Sequence, residues 1–135
     1  MGCWGVRTGT LGGGAGYGGV WSLMRLQDGR LAAGYFDGSI CVWDMARGEL
    51  DARLIGHTHL VMSLTVLPDG RLLSGSFDRT IRVWGKGALS VRGGGDTAVC
   101  AATLEGHTDW VMSLVVLRDW AVASGSYDGS VRFWN

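Results

Sequence analysis

The sequence predicts an all-β protein built from about three repeated antiparallel units, and three observations support this fold class. Residues 54–84 align with residues 104–134 at a constant offset and without a gap. A weaker copy of the pattern lies 41 positions upstream of the first. Every copy consists of short apolar runs separated by turn residues, which is typical of strands and hairpins rather than helices. Similarity at such a period indicates a repeat architecture.

Each copy contains the chemistry of four short strands. The first run of the middle copy is almost entirely apolar, as expected of a strand buried on both faces. A Pro-Asp-Gly turn follows it, and a second turn comes at Asp78 and Arg79. The expected strands are residues 60–67, 71–76 and 80–84, with weaker fourth strands at 50–54 and 99–104. Four such strands form one propeller blade, so we predict a partial β-propeller of about three four-stranded antiparallel blades.

The repeats also divide the chain. We assign residues 1–19 to a Gly-rich N-terminal segment, 20–55 to a degenerate first repeat, 56–105 to the second repeat and 106–135 to the third. The N-terminal segment is either the remnant of a neighbouring blade or a closing strand, for which residues 3–11 are the candidates. The second repeat contains a Gly-rich stretch at 85–96, which we expect to be a flexible surface loop. The third repeat lacks its last strand.

Three blades are fewer than the four to eight of a typical propeller. The chain is therefore a fragment of a longer protein, one part of a ring closed by copies of itself, or an open arc. We favour the fragment, because a tryptophan at the end of an expected strand lies close to each end of the sequence, at Trp4 and Trp134.

Composition narrows the class of protein. Hydrophobic residues make up 47% and charged residues 18% of the 135, so a packed core is expected. The formal net charge is zero, which favours neither a nucleic acid nor a membrane as partner. The three cysteines are far apart and lack Cys-x-x-Cys spacing, which argues against disulfides and zinc and favours the cytoplasm or nucleus. We expect no cofactor.

Four segments carry a resemblance to a known family. They read GHTHLVMSL, SGSFDRTIRVW, GHTDWVMSL and SGSYDGSVRFW, and they resemble the WD-repeat family over residues 20–134. The closing Trp-Asp pair of that family is present only at Trp43 and Asp44.

The resemblance implies a buried chain of hydrogen bonds in each blade, from a Trp N–H through a Ser hydroxyl and a His ring to an Asp carboxylate. The matching residues are Trp84, Ser74, His57 and Asp78 in the second repeat, and Trp134, Ser124, His107 and Asp128 in the third. Either serine of each Ser-Gly-Ser can take part, because alternation places both on one face. The first repeat keeps Asp37 and Trp43 without the His and Ser, so we expect it to be the weakest blade.

The same residue types invite a hydrolase interpretation, because Ser, His and Asp form the triad of acyl transfer. A catalytic set is needed once, whereas this one is duplicated, so we expect a structural role and no enzyme. The glycines at 14–19 fit G-x-G-x-x-G, but a strand follows them where a dinucleotide site needs a helix.

The family resemblance also implies that partners contact one rim of the propeller. The matching positions are Phe36, His59, Leu60, Phe77, Arg79, Asp109, Trp110 and Tyr127. An aromatic residue precedes the turn aspartate in all three repeats, and aromatic side chains dominate protein interfaces. We therefore expect an interaction scaffold that binds peptides or protein surfaces. The alternatives are substrate recognition for a ubiquitin ligase, self-assembly, and, least favoured, a hydrolase.

Overall fold

The computed structural model describes residues 9–11 and 17–135. The candidate closing strand at 3–11 and the Gly-rich segment 1–19 therefore lie largely outside the described residues. The strands are β1 (Val20–Arg25), β2 (Leu31–Tyr35), β3 (Ile40–Asp44), β4 (Glu49–Ile55), β5 (Val61–Val66), β6 (Leu72–Ser76), β7 (Ile81–Trp84), β8 (Asp96–Val99), β9 (Ala102–Leu104), β10 (Val111–Val116), β11 (Val122–Ser126) and β12 (Val131–Trp134). The helical elements are one helical turn, α1 (Lys86–Leu89), and a 3₁₀ turn at Arg118–Trp120.

These strands form three sheets, one for each repeat. The sheet orders are β1-β2-β3-β4-β8, β5-β6-β7-β9 and β10-β11-β12. All neighbouring strands are antiparallel except β8, which adds to β4 in parallel. The prediction of an all-β partial propeller is confirmed. Among the described residues, the first sheet has five strands, the second has the expected four and the third has three.

Each sheet begins with the same irregularity. The register between the first and second strands shifts by one residue next to Val20, Val61 and Val111. Such a bulge bends the start of a strand and redirects its side chains. Because the three bulges occupy equivalent positions, these three valines project in equivalent directions.

The sheets pack face to face. A first apolar core lies between the first and second sheets and includes Ile40, Leu54, Val61 and Trp84. A second core lies between the second and third sheets and includes Ile81 and Val111. This successive stacking is the packing of propeller blades. In the described part of the chain, no helix has the length and apolarity needed to cross a bilayer.

The Gly-rich stretch at 85–96 differs from the expected flexible loop. It contains α1, whose Leu89 is buried in the first core, and it leads into β8 on the edge of the first sheet. The buried Arg30 holds this stretch by donating to the backbone oxygens of Leu89 and Val91 and to the Asp51 carboxylate. The expected outer strand at 99–104 is correspondingly shortened to β9. The stretch is thus a strap from the second blade across the first.

Candidate functional site

The second sheet contains a continuous chain of hydrogen bonds among the four residues that the resemblance indicated. Trp84 Nε1 donates to Ser74 Oγ over 2.8 Å, and Ser74 Oγ lies 2.6 Å from His57 Nε2. His57 Nδ1 lies 2.7 Å from Asp78 Oδ2. With a neutral imidazole, the Ser74 hydroxyl donates to Nε2 and Nδ1–H donates to the carboxylate, so every group in the chain is paired.

The third sheet repeats this arrangement closely. Trp134 Nε1 donates to Ser124 Oγ over 2.7 Å, and Ser124 Oγ lies 2.7 Å from His107 Nε2. His107 Nδ1 lies 2.9 Å from Asp128 Oδ2. Two sites 50 residues apart therefore share one geometry, as expected of a structural element belonging to each blade.

The structure distinguishes the two serines of each Ser-Gly-Ser. The first serine joins the tryptophan and histidine. The second closes the loop above, since Ser76 Oγ donates to the His59 carbonyl and accepts from the Asp78 backbone N–H. Ser126 bonds in the same way to the Asp109 carbonyl and the Asp128 N–H.

The aspartate at the end of each chain is held in its charged form. Burial alone would raise the pKa of the Asp78 carboxyl, but the bond from His57 and the bonds from Thr80 outweigh it and hold the pKa well below its usual range. For Asp128, the hydrogen bond from the Ser130 hydroxyl is the largest cause of an equally low pKa.

Sequence reasoning missed the hydroxyl residue two positions after each turn aspartate. Thr80 Oγ1 donates to Asp78 Oδ1 over 2.6 Å, and Ser39 Oγ donates to Asp37 Oδ1 over 2.6 Å. Ser130 does the same for Asp128. The signal was present, because a Ser or Thr follows at this offset in all three repeats.

The first sheet keeps only part of the network. Asp37 retains its turn bonds to Ser39, whereas Ala33 occupies the position of the bonded serine. Trp43 instead packs in a small apolar cluster with Ala33, Tyr35 and Cys41 on the outer face of the sheet. Burial raises the pKa of the Cys41 thiol to about 11, which leaves it protonated and unreactive.

The duplicated Ser-His-Asp sets have the hydrogen-bond order of the acyl-transfer triad, but a substrate cannot reach them. Ser74 is fully buried, and its oxygen already accepts the Trp84 N–H. A nucleophilic serine must reach a bound substrate carbonyl. The network is therefore closed to a substrate in the second sheet, and Ser124 in the third is equally buried.

The rim contains a second arrangement, which we call the aromatic file. It is a row of five rings: Phe36, His59, Phe77, Trp110 and Tyr127. Successive ring centroids are 6.2, 5.7, 4.1 and 5.3 Å apart. The closest pair, Phe77 and Trp110, is stacked with an interplanar angle of 1°. The file crosses all three repeats.

Backbone bonds fix the file in place. The Phe77 N–H donates to the Leu60 carbonyl, and the Tyr127 N–H donates to the Trp110 carbonyl. The ring of His59 accepts the Leu60 N–H over 2.8 Å, and the Asp109 carboxylate accepts the Trp110 N–H over 2.8 Å. His59 and Asp109 thus perform the same local task in successive repeats.

Exposure separates the expected rim residues. Phe36, His59, Trp110 and Tyr127 are exposed, with Tyr127 the most open at 69%. Leu60 was predicted to contact a partner, and this prediction is wrong, because the residue is only 2% exposed and its side chain points into the protein. It supports the rim through its backbone rather than offering a contact surface.

Arg79 is exposed on the same rim in an unusual conformation. Its φ is +76°, whereas the equivalent Gly38 and Gly129 have φ of +93° and +87°. Left-handed backbone favours glycine, and a long side chain there is strained. The second repeat thus presents a guanidinium group where the other two present only backbone.

Comparison with known proteins gives a consistent result. The family model described as "WD domain, G-beta repeat" matches residues 5–44, 48–85 and 98–135. A search of curated proteins finds no match. Among solved structures, the chain is similar to the "WD40 beta propeller domain of Doa1", with a TM-score of 0.72 and 25% identity. The match covers 84% of this chain and 36% of that chain, so the chain spans about a third of that structure's length.

Proposed function

Because the chain belongs to the WD40 repeat family, we propose that it is an interaction scaffold that binds a peptide or protein surface through the aromatic file. Domains of this family generally bind other proteins, and the family is generally not enzymatic. What this chain adds is a particular surface on one rim.

The continuous row of rings is the observation that supports this proposal. Rigid aromatic side chains bring large contact areas at small entropic cost, and they dominate interface energetics. Each ring is supported by its neighbour and by backbone bonds, so the surface is organised before a partner arrives. Preorganisation reduces the free-energy cost of binding.

The polar atoms beside the file give the partner some chemical character. The Tyr127 hydroxyl and the Trp110 indole N–H can form hydrogen bonds at the solvent-exposed end of the aromatic file, and Arg79 adds one positive charge. A partner with apolar side chains and an acidic or polar flank fits this combination. Recognition of substrates for a ubiquitin ligase is a narrower use of the same surface and stays an alternative.

A peptide selection tests the proposal directly. Peptides selected from a random library on the immobilised chain are expected to bind at least about tenfold more weakly to Trp110→Ala, the effect of losing a hot-spot side chain. Trp120→Gly is the control, because Trp120 is also exposed but lies in the β10–β11 turn at the opposite ends of the strands. Glycine replaces it because its φ is +69°. Equal binding to both variants would refute the proposed site.

Self-association is a second candidate, favoured by a different observation. The two outward sheet faces expose large apolar side chains that the inward faces bury, including Val20 and Leu23 on β1 and Val131 and Phe133 on β12. Exposed apolar patches of this kind mark interaction surfaces.

A further inference from the structure

The sheets are joined by a repeated knob-and-socket contact. A Cβ atom added to Gly34 would lie 2.7 Å from Val61 Cγ1 of the second sheet. A Cβ atom added to Gly75 would lie 2.7 Å from Val111 Cγ1 of the third sheet. Real side chains do not approach this closely, so each glycine leaves space for the valine of the next sheet. We call each such glycine a socket and the valine that fills it a knob.

The chain also has one socket and one knob without counterparts among the described residues. Gly125 is the equivalent of Gly34 and Gly75, yet an added Cβ would meet only Ser113 Oγ of its own sheet, at 3.0 Å. Val20 is the equivalent of Val61 and Val111, yet it is 52% exposed while they are 0% exposed. The outer face of the third sheet thus has an open socket, and the first sheet has a free knob.

The apolar side chains around Gly125 are exposed, as Gly125 itself is left unfilled, whereas their equivalents in the first two sheets are buried. Ile40 and Ile81 are completely buried between sheets, whereas the equivalent Val131 is 65% exposed. Val42 is also completely buried, whereas the equivalent Phe133 is 74% exposed. The third sheet therefore keeps the apolar surface that the first two sheets use for packing.

We infer that two copies of this chain pair end to end, with Val20 of each copy entering the Gly125 socket of the other. This inference rests on the self-association proposed above and names the residues that would form the interface. The contact joins different surfaces of the two chains, so it must either close a ring or continue as a filament. Two copies of three blades make six, within the four to eight that close, whereas three copies exceed that range.

Light scattering across a concentration series tests the pairing. The chain is expected to reach twice the mass of one chain and to stop there. Gly125→Ala and Val20→Asp are each expected to shift the midpoint of dimerisation to at least about tenfold higher concentration. Val20 is exposed in the single chain, and Gly125 has no left-handed φ. A Cβ added to Gly125 meets only Ser113 Oγ, which belongs to an exposed side chain that can turn aside, so the melting temperature of the monomer should change little.

Gly75→Ala is the matched control within the chain. A Cβ added to Gly75 meets Ser63 Oγ at 2.8 Å, much as one added to Gly125 meets Ser113 Oγ, but it also forces Val111 of the next sheet away. Gly75→Ala is therefore expected to lower the melting temperature more than Gly125→Ala does. A monomer at all concentrations would overturn the inference and would indicate that other blades or partners occupy the two faces. A dimer indifferent to Gly125→Ala and Val20→Asp would overturn the pairing but not self-association. A mass that keeps rising would overturn closure by two copies.

Discussion

Replacing His57 with alanine is the sharpest test of the buried network, because the chain supplies its own control. His57 and His59 are two residues apart in one loop. The first lies inside the sheet with bonds from both ring nitrogens, and the second lies exposed on the rim. Removing each imidazole separates the effect of the buried network from the effect of losing a histidine.

The size of the effect follows from the groups left behind. Without His57, Ser74 Oγ loses one of its two bonds, and Asp78 Oδ2 keeps only the Thr58 N–H over 3.2 Å. Leaving buried polar groups without partners costs about 1–3 kcal/mol. We therefore expect His57→Ala to lower the free energy of unfolding by about the same amount, 1–3 kcal/mol.

Urea unfolding followed by circular dichroism measures this difference. Both variants must be compared at one protein concentration, since association shifts apparent stability. His57→Ala should lower the midpoint with an unchanged slope. His59→Ala removes a single hydrogen bond, to the Leu60 N–H on an exposed loop, so it should lower the free energy of unfolding by no more than about 0.5–1 kcal/mol. Equal midpoints for the two variants would refute the network as a stabilising element.

Three further predictions concern acid stability, backbone strain and the strap. The lowered pKa of Asp78 stabilises the fold at pH values above about 3.9, the pKa of an unfolded aspartate, and this stabilisation is lost progressively as the pH falls below that value. In acid titrations followed by fluorescence, Asp78→Asn should make the stability depend less on pH. Arg79→Gly should raise the free energy of unfolding by about 1 kcal/mol in urea, because glycine accepts the positive φ; no gain would contradict strain. Asp51→Ala should leave Arg30 buried with its charge less compensated, and proteolysis should then cleave the strap faster than in the parent.

The repeats made the blade predictable from sequence, and particular contacts explain where prediction stopped. The alignment of His57 with His107 indicated the network, but both serines of Ser-Gly-Ser share a face, so alternation did not identify the bonded one. Only the strand pairing brings Ser74, rather than Ser76, within reach of Trp84. The positive φ of Arg79 could have been predicted from the sequence, because glycine occupies the equivalent position in the other two repeats.

The strap was not predictable for a different reason. Its composition is Gly-rich, which is typical of loops. The contacts that order it join Arg30 to the carbonyls of Leu89 and Val91, about 60 positions along the chain. No local pattern carries such a contact, and β8 pairs with β4 in parallel, whereas the other strand pairs in the described part of the chain are antiparallel. Composition therefore described the local preference correctly, while tertiary contacts decided the outcome.

These contacts change how the first repeat should be understood. Sequence reasoning expected it to be the weakest blade, because it lacks the His and Ser of the network. In the structure its sheet carries a fifth strand, and the pair between Arg30 and Asp51 fastens the strap across it. The first blade is therefore held from outside by the second, whereas the second and third are held by their own networks. Damage to the strap should loosen the first blade while leaving the bonds of His57 and His107 intact.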